Sequence, residues 1–184
     1  MPPKARISKE MILDAAFEIL KESGIEGVNA RALAARLKCS TQPILYYYKT
    51  MDELREDLYE RADDYHTKYI MGENMRNPMR EIGLAYIRFA AKEKHIFRLL
   101  FQSDHFARQT IPDLADNDAL APLIGVLTRE SELPSERVRD EFLQRFMLVH
   151  GIASLMANNS MSYDEENVNR LLERAFPKSA GGGK

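Results

Sequence analysis

Between Gly27 and Met51 the chain carries no acidic residue and four basic ones, Arg31, Arg36, Lys38 and Lys49. The same stretch holds Thr41, Gln42, Tyr46 and Tyr47, whose side chains hydrogen-bond and recur at helical spacing. Cations beside such groups suit a phosphate polymer: the charges hold phosphates and fix register, while amides and hydroxyls address base edges. Gln42 matches the paired donor and acceptor of an adenine edge, and Thr41 offers both a hydroxyl and a methyl group. Lys4 and Arg6 form a basic arm upstream, and Arg31, Lys38 and Lys49 are the expected phosphate contacts.

No comparable set points to catalysis. His66, His95, His105 and His150 lack metal-ligand spacing, and none forms a recognisable motif with Cys39 or a carboxylate. There is no Gly-rich phosphate loop. The expectation is a non-enzyme with no cofactor and no metal. Cys39 is the single cysteine, which excludes an internal disulfide, suits a reducing compartment and reads as a packing residue.

The overall charge of −2 hides an asymmetry. Residues 1–50 hold eight bases against five acids, so the rest of the chain has an excess of five acids. A basic end for phosphate and an acidic, soluble remainder follow from that division. Hydrophobic residues at 45% and charged residues at 29% are enough to build a packed core. No apolar run approaches the ~18 residues that span a bilayer, and the first residues lack the apolar stretch of a secretory signal. The expectation is a cytoplasmic protein without membrane contact.

Apolar residues recur with a period near 3.6 almost throughout, which predicts an all-α fold of about nine helices. Ser8 is the expected N-cap of the first, with Ile12, Ala16, Ile19 and Leu20 on its inner face and Gly24 at its exit. Asn29 caps a short helix to Leu37, and a third begins near Thr41 with Pro43 in its first turn. Thr50 and Glu53 make the capping box of a fourth, lined by Leu54, Leu58, Ala62, Tyr65 and Tyr69. Helices are predicted over 78–92, 95–102 and 118–130, a loop over 109–117, and the longest helix from Ser135 to about Asn158. Ser162 and Glu165 are expected to cap a last helix ending before Pro177.

Two short helices joined by a tight turn cannot bury both faces alone. They need the first helix as a third wall, supplied by Ile19, Leu33, Leu37 and Ile44, and the third helix then keeps a face for the major groove. The same pattern also fits a bundle whose N-terminal helices dock a protein partner.

The run from Ser8 to Leu54 resembles the TetR family of bacterial transcription regulators. The resemblance lies in Ile12-Leu-Asp-Ala-Ala, Gly24-Ile-Glu-Gly-Val28, Arg31-Ala-Leu-Ala34, the tight turn, the aromatic-rich third helix and Asp52-Glu53-Leu54. It implies an N-terminal helix-turn-helix domain over 1–50 and an effector-binding and dimerisation bundle over 51–178 joined through a connecting helix; the Gly-rich composition of 179–184 predicts a disordered tail. It further implies a homodimeric repressor on palindromic double-stranded DNA, released by a small effector, which the aromatic and Met side chains of the bundle suggest is largely apolar; an orphan regulator without a ligand is the milder form. Ser40, Thr41, Gln42, Pro43, Tyr46 and Tyr47 then fall at the DNA, along with the basic residues already named. Lys38 stands where the family turn usually has Gly, and Leu45 where it commonly has a phosphate-contacting Tyr.

Val149-His150-Gly151 is similar to the histidine–glycine signature of one subgroup of the family's C-terminal domains. Candidate ligand contacts are Tyr86, Phe89, Phe101, Phe146 and His150, side chains that would serve equally as ordinary core. Candidate dimer contacts are Met147, Gly151, Ser154, Leu155, Leu171 and Leu172.

Overall fold

The computed structural model describes residues 7–71, 77–103, 113, 121–130 and 134–176. Helices account for the regular structure of these residues, and no strand occurs among them. They are α1 (Lys9–Ser23), α2 (Ala30–Arg36), α3 (Gln42–Tyr47), α4 (Met51–Ile70), α5 (Pro78–Lys92), α6 (Lys94–Phe101), α7 (Ala121–Glu130), α8 (Ser135–Ala157) and α9 (Glu165–Ala175), with a 3-10 turn at Ile25–Gly27. The expected loop at 109–117, apart from Asp113, the expected helical start at 118–120 and the tail at 179–184 lie outside the described residues, as do Lys4 and Arg6. No helix is long and apolar enough to cross a membrane among the described residues.

Two compact units share α4 between them. The first contains α1, α2, α3, α4 up to Thr67, and α6. Ser8 caps α1 as its sequence predicts, its Oγ accepting from the Met11 N–H at 3.2 Å. Asn29 does the same for α2, accepting from Ala32 N at 3.0 Å. At α4 the Thr50 hydroxyl accepts from Glu53 N–H, while the Glu53 carboxylate reaches back to the N–H of Lys49, one residue before the expected partner. Ile12, Ala16, Leu20, Leu33, Ile44, Leu54 and Leu58 have almost no exposed surface and form the core of this unit.

Gly24 ends α1 at φ 78°, ψ 178°, a region that is essentially glycine-only. It also lets α6 come close: a Cβ on Gly24 would sit 2.9 Å from His95 Nδ1. Deeper in the unit, His66 of α4 is buried and packs edge-to-face on Phe101, ring centroids 5.0 Å apart.

The second unit contains the last residues of α4, then α5, α7, α8 and α9. The α5 helix packs along α8, and α9 lies against α5. Gly83 marks the closest approach, since a Cβ there would be 3.2 Å from Val149 Cγ2 and 3.7 Å from Phe176. Two arginines of α5 fasten α9. Arg80 reaches Asn169 and Glu173 at 2.9 and 3.1 Å, and Arg88 holds Tyr163 at 3.1 Å and Glu165.

The cap of α9 corrects the sequence reading. Asp164, not Ser162, is the N-cap and accepts from Asn167 N–H at 3.1 Å. Asp caps as well as Ser does, and a helix starting at Glu165 leaves Ser162 two residues upstream of its cap.

Burial pushes the His66 imidazole down to about 4. An unfolded chain takes that proton near the ordinary value of about 6.5, so the folded state loses stability as pH falls from there toward 4. Urea titrations of wild type and His66→Phe should therefore diverge over that window, wild type losing up to about 3 kcal/mol more. Parallel curves would refute the buried, neutral histidine.

Candidate nucleic-acid interface

The turn between α2 and α3 is closed by a left-handed residue. Lys38 has φ 52°, Cys39 N–H donates to Ala34 O at 3.0 Å, and Lys38 N–H donates to Ala35 O at 3.3 Å. This is the Schellman arrangement, which usually places glycine where Lys38 stands. A side chain in that conformation costs on the order of 1 kcal/mol.

The turn sets the phase of α3. Ile44 is fully buried and Tyr48, one helical turn later, is 2% exposed. Gln42, Leu45 and Tyr46 face outward, Ser40 is exposed, and Thr41, Pro43 and Tyr47 are half-buried. The tyrosine triplet is thus divided: Tyr48 belongs to the core, while Tyr46 and Tyr47 meet edge-to-face with centroids 5.2 Å apart.

Tyr48 is held by more than packing. Its hydroxyl donates to Asp57 Oδ2 at 2.9 Å, and Lys9 Nζ lies 2.6 Å from the same oxygen and 5.1 Å from the centre of the Tyr48 ring. Hydrogen bonding from Lys9 keeps the Asp57 carboxyl below the usual carboxylate range. Burial, then the bond to Asp57, pushes the Tyr48 hydroxyl well above its ordinary value. One turn further along α4, Arg61 bridges Glu10 and Asp14 of α1. The end of α3 is thereby tied to α4, and α4 to α1.

Three bases of this segment are exposed. Arg31, Lys38 and Lys49 are exposed, whereas Arg36 is paired with Glu22 of α1 and so contributes less. The Lys49 ammonium donates to Tyr46 O at 3.1 Å and lies 5.4 Å above the Tyr46 ring, which positions it beside the outward face of α3. Sequence reasoning missed Asp57, Lys9 and Arg61, whose contacts join distant segments. The inward phase of Tyr48 was available from Ile44, four residues earlier.

In the second unit, Tyr86 Oη and His150 Nδ1 are 3.0 Å apart, and Phe146 stacks on His150 at 5.5 Å between centroids. Burial lowers the His150 imidazole and raises the Tyr86 hydroxyl. Phe89 is buried and meets Tyr69 at 5.2 Å. Phe101 packs in the first unit, on His66 and Phe97. Met147, Leu155 and Leu171 are exposed apolar side chains, Gly151 is exposed and Ser154 half-buried. Leu172 has no exposed surface and is a core residue, so it offers nothing to a second chain. No cluster of three His, Cys, Asp or Glu fit to hold a metal ion occurs among the described residues.

A helix-turn-helix unit followed by a helical bundle is the architecture of a one-chain transcription regulator. Residues 12–58 match the family described as bacterial regulatory proteins, tetR family, and residues 79–177, more than half the chain, match the tetracyclin repressor-like C-terminal domain. The chain belongs to the TetR family of bacterial regulatory proteins. It is 33% identical over 89 residues to the class D tetracycline repressor of Escherichia coli. That match covers 46% of this chain and 40% of the relative, so it spans well under half of that protein. The fold is shared along nearly the whole chain with a TetR-like transcriptional regulator from Rhodococcus sp. RHA1, at TM-score 0.63, 19% identity, 99% coverage of this chain and 100% of the other. It is also shared with a TetR variant from Acinetobacter baumannii AYE in complex with minocycline, at TM-score 0.58, 20% identity, 92% coverage of this chain and 94% of that one.

Lys38→Gly should raise stability by about 1 kcal/mol in chemical denaturation by relieving the left-handed strain. An unchanged midpoint would mean the turn is not strained. Tyr48→Phe keeps the ring but removes the bond to Asp57, and should cost roughly 1 kcal/mol.

Proposed function

We propose that this chain is a homodimeric DNA-binding transcriptional repressor that reads a palindromic operator and is released by a small, largely apolar effector. The observation that carries the reading is the outward face of α3, presented by the burial of Ile44 and Tyr48, with Lys49 held against Tyr46 and with Arg31 and Lys38 exposed on α2 and the turn. Gln42 and Thr41 address base edges, Tyr46 and Tyr47 extend the hydrogen-bonding face, and Ser40 and Pro43 lie at the groove edge. Lys4 and Arg6 are assigned to phosphates as a flanking arm.

Dimerisation is supported by exposed apolar side chains on α8 and α9. Leu155 and Leu171 are 43% and 46% exposed, and Met147 lies two turns before Leu155. Gly151 sits between them with nothing within 4 Å of where its Cβ would be. A glycine inside a helix costs roughly 0.5–1 kcal/mol relative to alanine. No neighbour among the described residues requires it, so a close-packed helix of a second copy supplies the reason. Two copies related by a twofold axis present their readers about 34–36 Å apart, one turn of duplex.

The effector site is assigned to the aromatic group around Tyr86, Phe146 and His150 of the second unit, with Phe89 as a further candidate, whereas Phe101 packs in the first unit. The Acinetobacter neighbour's complex with minocycline supports ligand binding in this fold. The α4 helix is unbroken from Met51 to Ile70 and has residues in both units. An effector that prefers one tilt of α4 lowers DNA affinity by no more than its differential affinity for the two states.

Footprinting on the DNA upstream of the chain's own gene tests the reading, with protection of two half-sites one turn apart as the expected result. Lys49→Ala should weaken binding to all sequences alike and flatten the salt dependence by about one unit of slope. Gln42→Ala should weaken the protected site by roughly 1–3 kcal/mol more than random DNA. Leu155→Glu should yield monomers by light scattering, and a dimer that persists would exclude this face.

A further inference from the structure

Hydrogen bonding and phosphate neutralisation leave one side chain on α3 without a task. Leu45 is 48% exposed although Ile44, beside it, is fully buried. It lies three positions after Gln42, on the same outward face, and next to Tyr46, which is 68% exposed. Leu45 and Tyr46 together make an apolar patch in the middle of the reader, where leaving hydrocarbon in water is unfavourable.

The surroundings select the occupant. Lys49 lies over the Tyr46 ring, Arg31 and Lys38 are exposed on α2 and the turn that leads into α3, and no acidic residue occurs between Gly27 and Met51. That charge suits a polyanion. On the major-groove edge of a duplex the C5-methyl of thymine is the apolar group that distinguishes one base pair from another.

Building on the DNA-binding reading above, we infer that Leu45 is a specificity-determining residue that recognises the C5-methyl of a thymine on, or next to, the A·T pair addressed by Gln42. The contact adds sequence information without a hydrogen bond. Each half-site then contains a thymine that cytosine or uracil cannot replace without loss.

The test uses the full chain and a duplex recovered by it from a random-sequence pool, remade with deoxyuridine in place of each thymidine in turn. Uracil pairs as thymine does and lacks only the methyl. In wild type, one position per half-site should lose about fourfold in affinity on replacement, the worth of one buried methyl-sized group. Leu45→Ala should bind the thymine duplex about that much more weakly and be indifferent to uracil at the same position. Leu45→Met, which keeps the apolar bulk, should retain most of the discrimination. Because Leu45 is exposed and alanine favours helix, the substituted chain should keep the wild-type unfolding midpoint.

Selection that enriches no sequence would overturn the DNA-binding reading and this inference with it. A specifically bound duplex that tolerates uracil everywhere, or keeps its uracil sensitivity in Leu45→Ala, would overturn the Leu45 assignment alone. Wild-type affinity of Leu45→Ala for the selected duplex would likewise overturn it and leave the patch to a protein surface.

Discussion

A six-residue helix has no stability of its own in water, because so few hydrogen bonds cannot offset the cost of nucleation. The position of α3 is therefore imposed from outside, by Ile44 and Tyr48 buried beneath it and by the bond from Tyr48 to Asp57. Asp57 accepts from Tyr48 and from Lys9, so a single carboxylate joins the end of the reader, the start of α1 and the second turn of α4. The outward side chains owe their presentation to this inward attachment.

The arrangement also sorts the charges. Acidic side chains of α1 and α4 meet partners there: Glu22 takes Arg36, Asp57 takes Lys9, and Glu10 and Asp14 share Arg61. These pairs lie at the surface, where each adds little to stability. Their larger effect is on the local field, since these four acids are matched by bases while Arg31, Lys38 and Lys49 stand exposed.

Much of the fold is legible because its signals are local. Ser8, Asn29, Thr50 and Pro78 mark helix starts by side-chain chemistry that acts within four residues, and Gly24 marks an exit by its backbone alone. The phase of α3 follows from the four-residue step between Ile44 and Tyr48. Contacts between distant segments leave no such trace. Nothing near Asp57 announces Lys9, and nothing near Gly24 announces His95. Leu171 and Leu172 are neighbours of equal hydropathy, and only the packing of α9 on α5 separates the exposed one from the buried one. Asp164 took the place expected of Ser162, two good caps standing two residues apart.

The meeting of Gly24 and His95 imposes an asymmetric constraint on sequence drift. Position 24 is restricted twice, by a dihedral pair closed to other residues and by an imidazole lying where a methyl would be. Position 95 is restricted only by the room it fills. A smaller residue there would leave a gap that neighbours can partly close, yet it would not release position 24, whose backbone shape persists. Lineages descended from this chain should accordingly vary at 95 while the residue at 24 stays fixed.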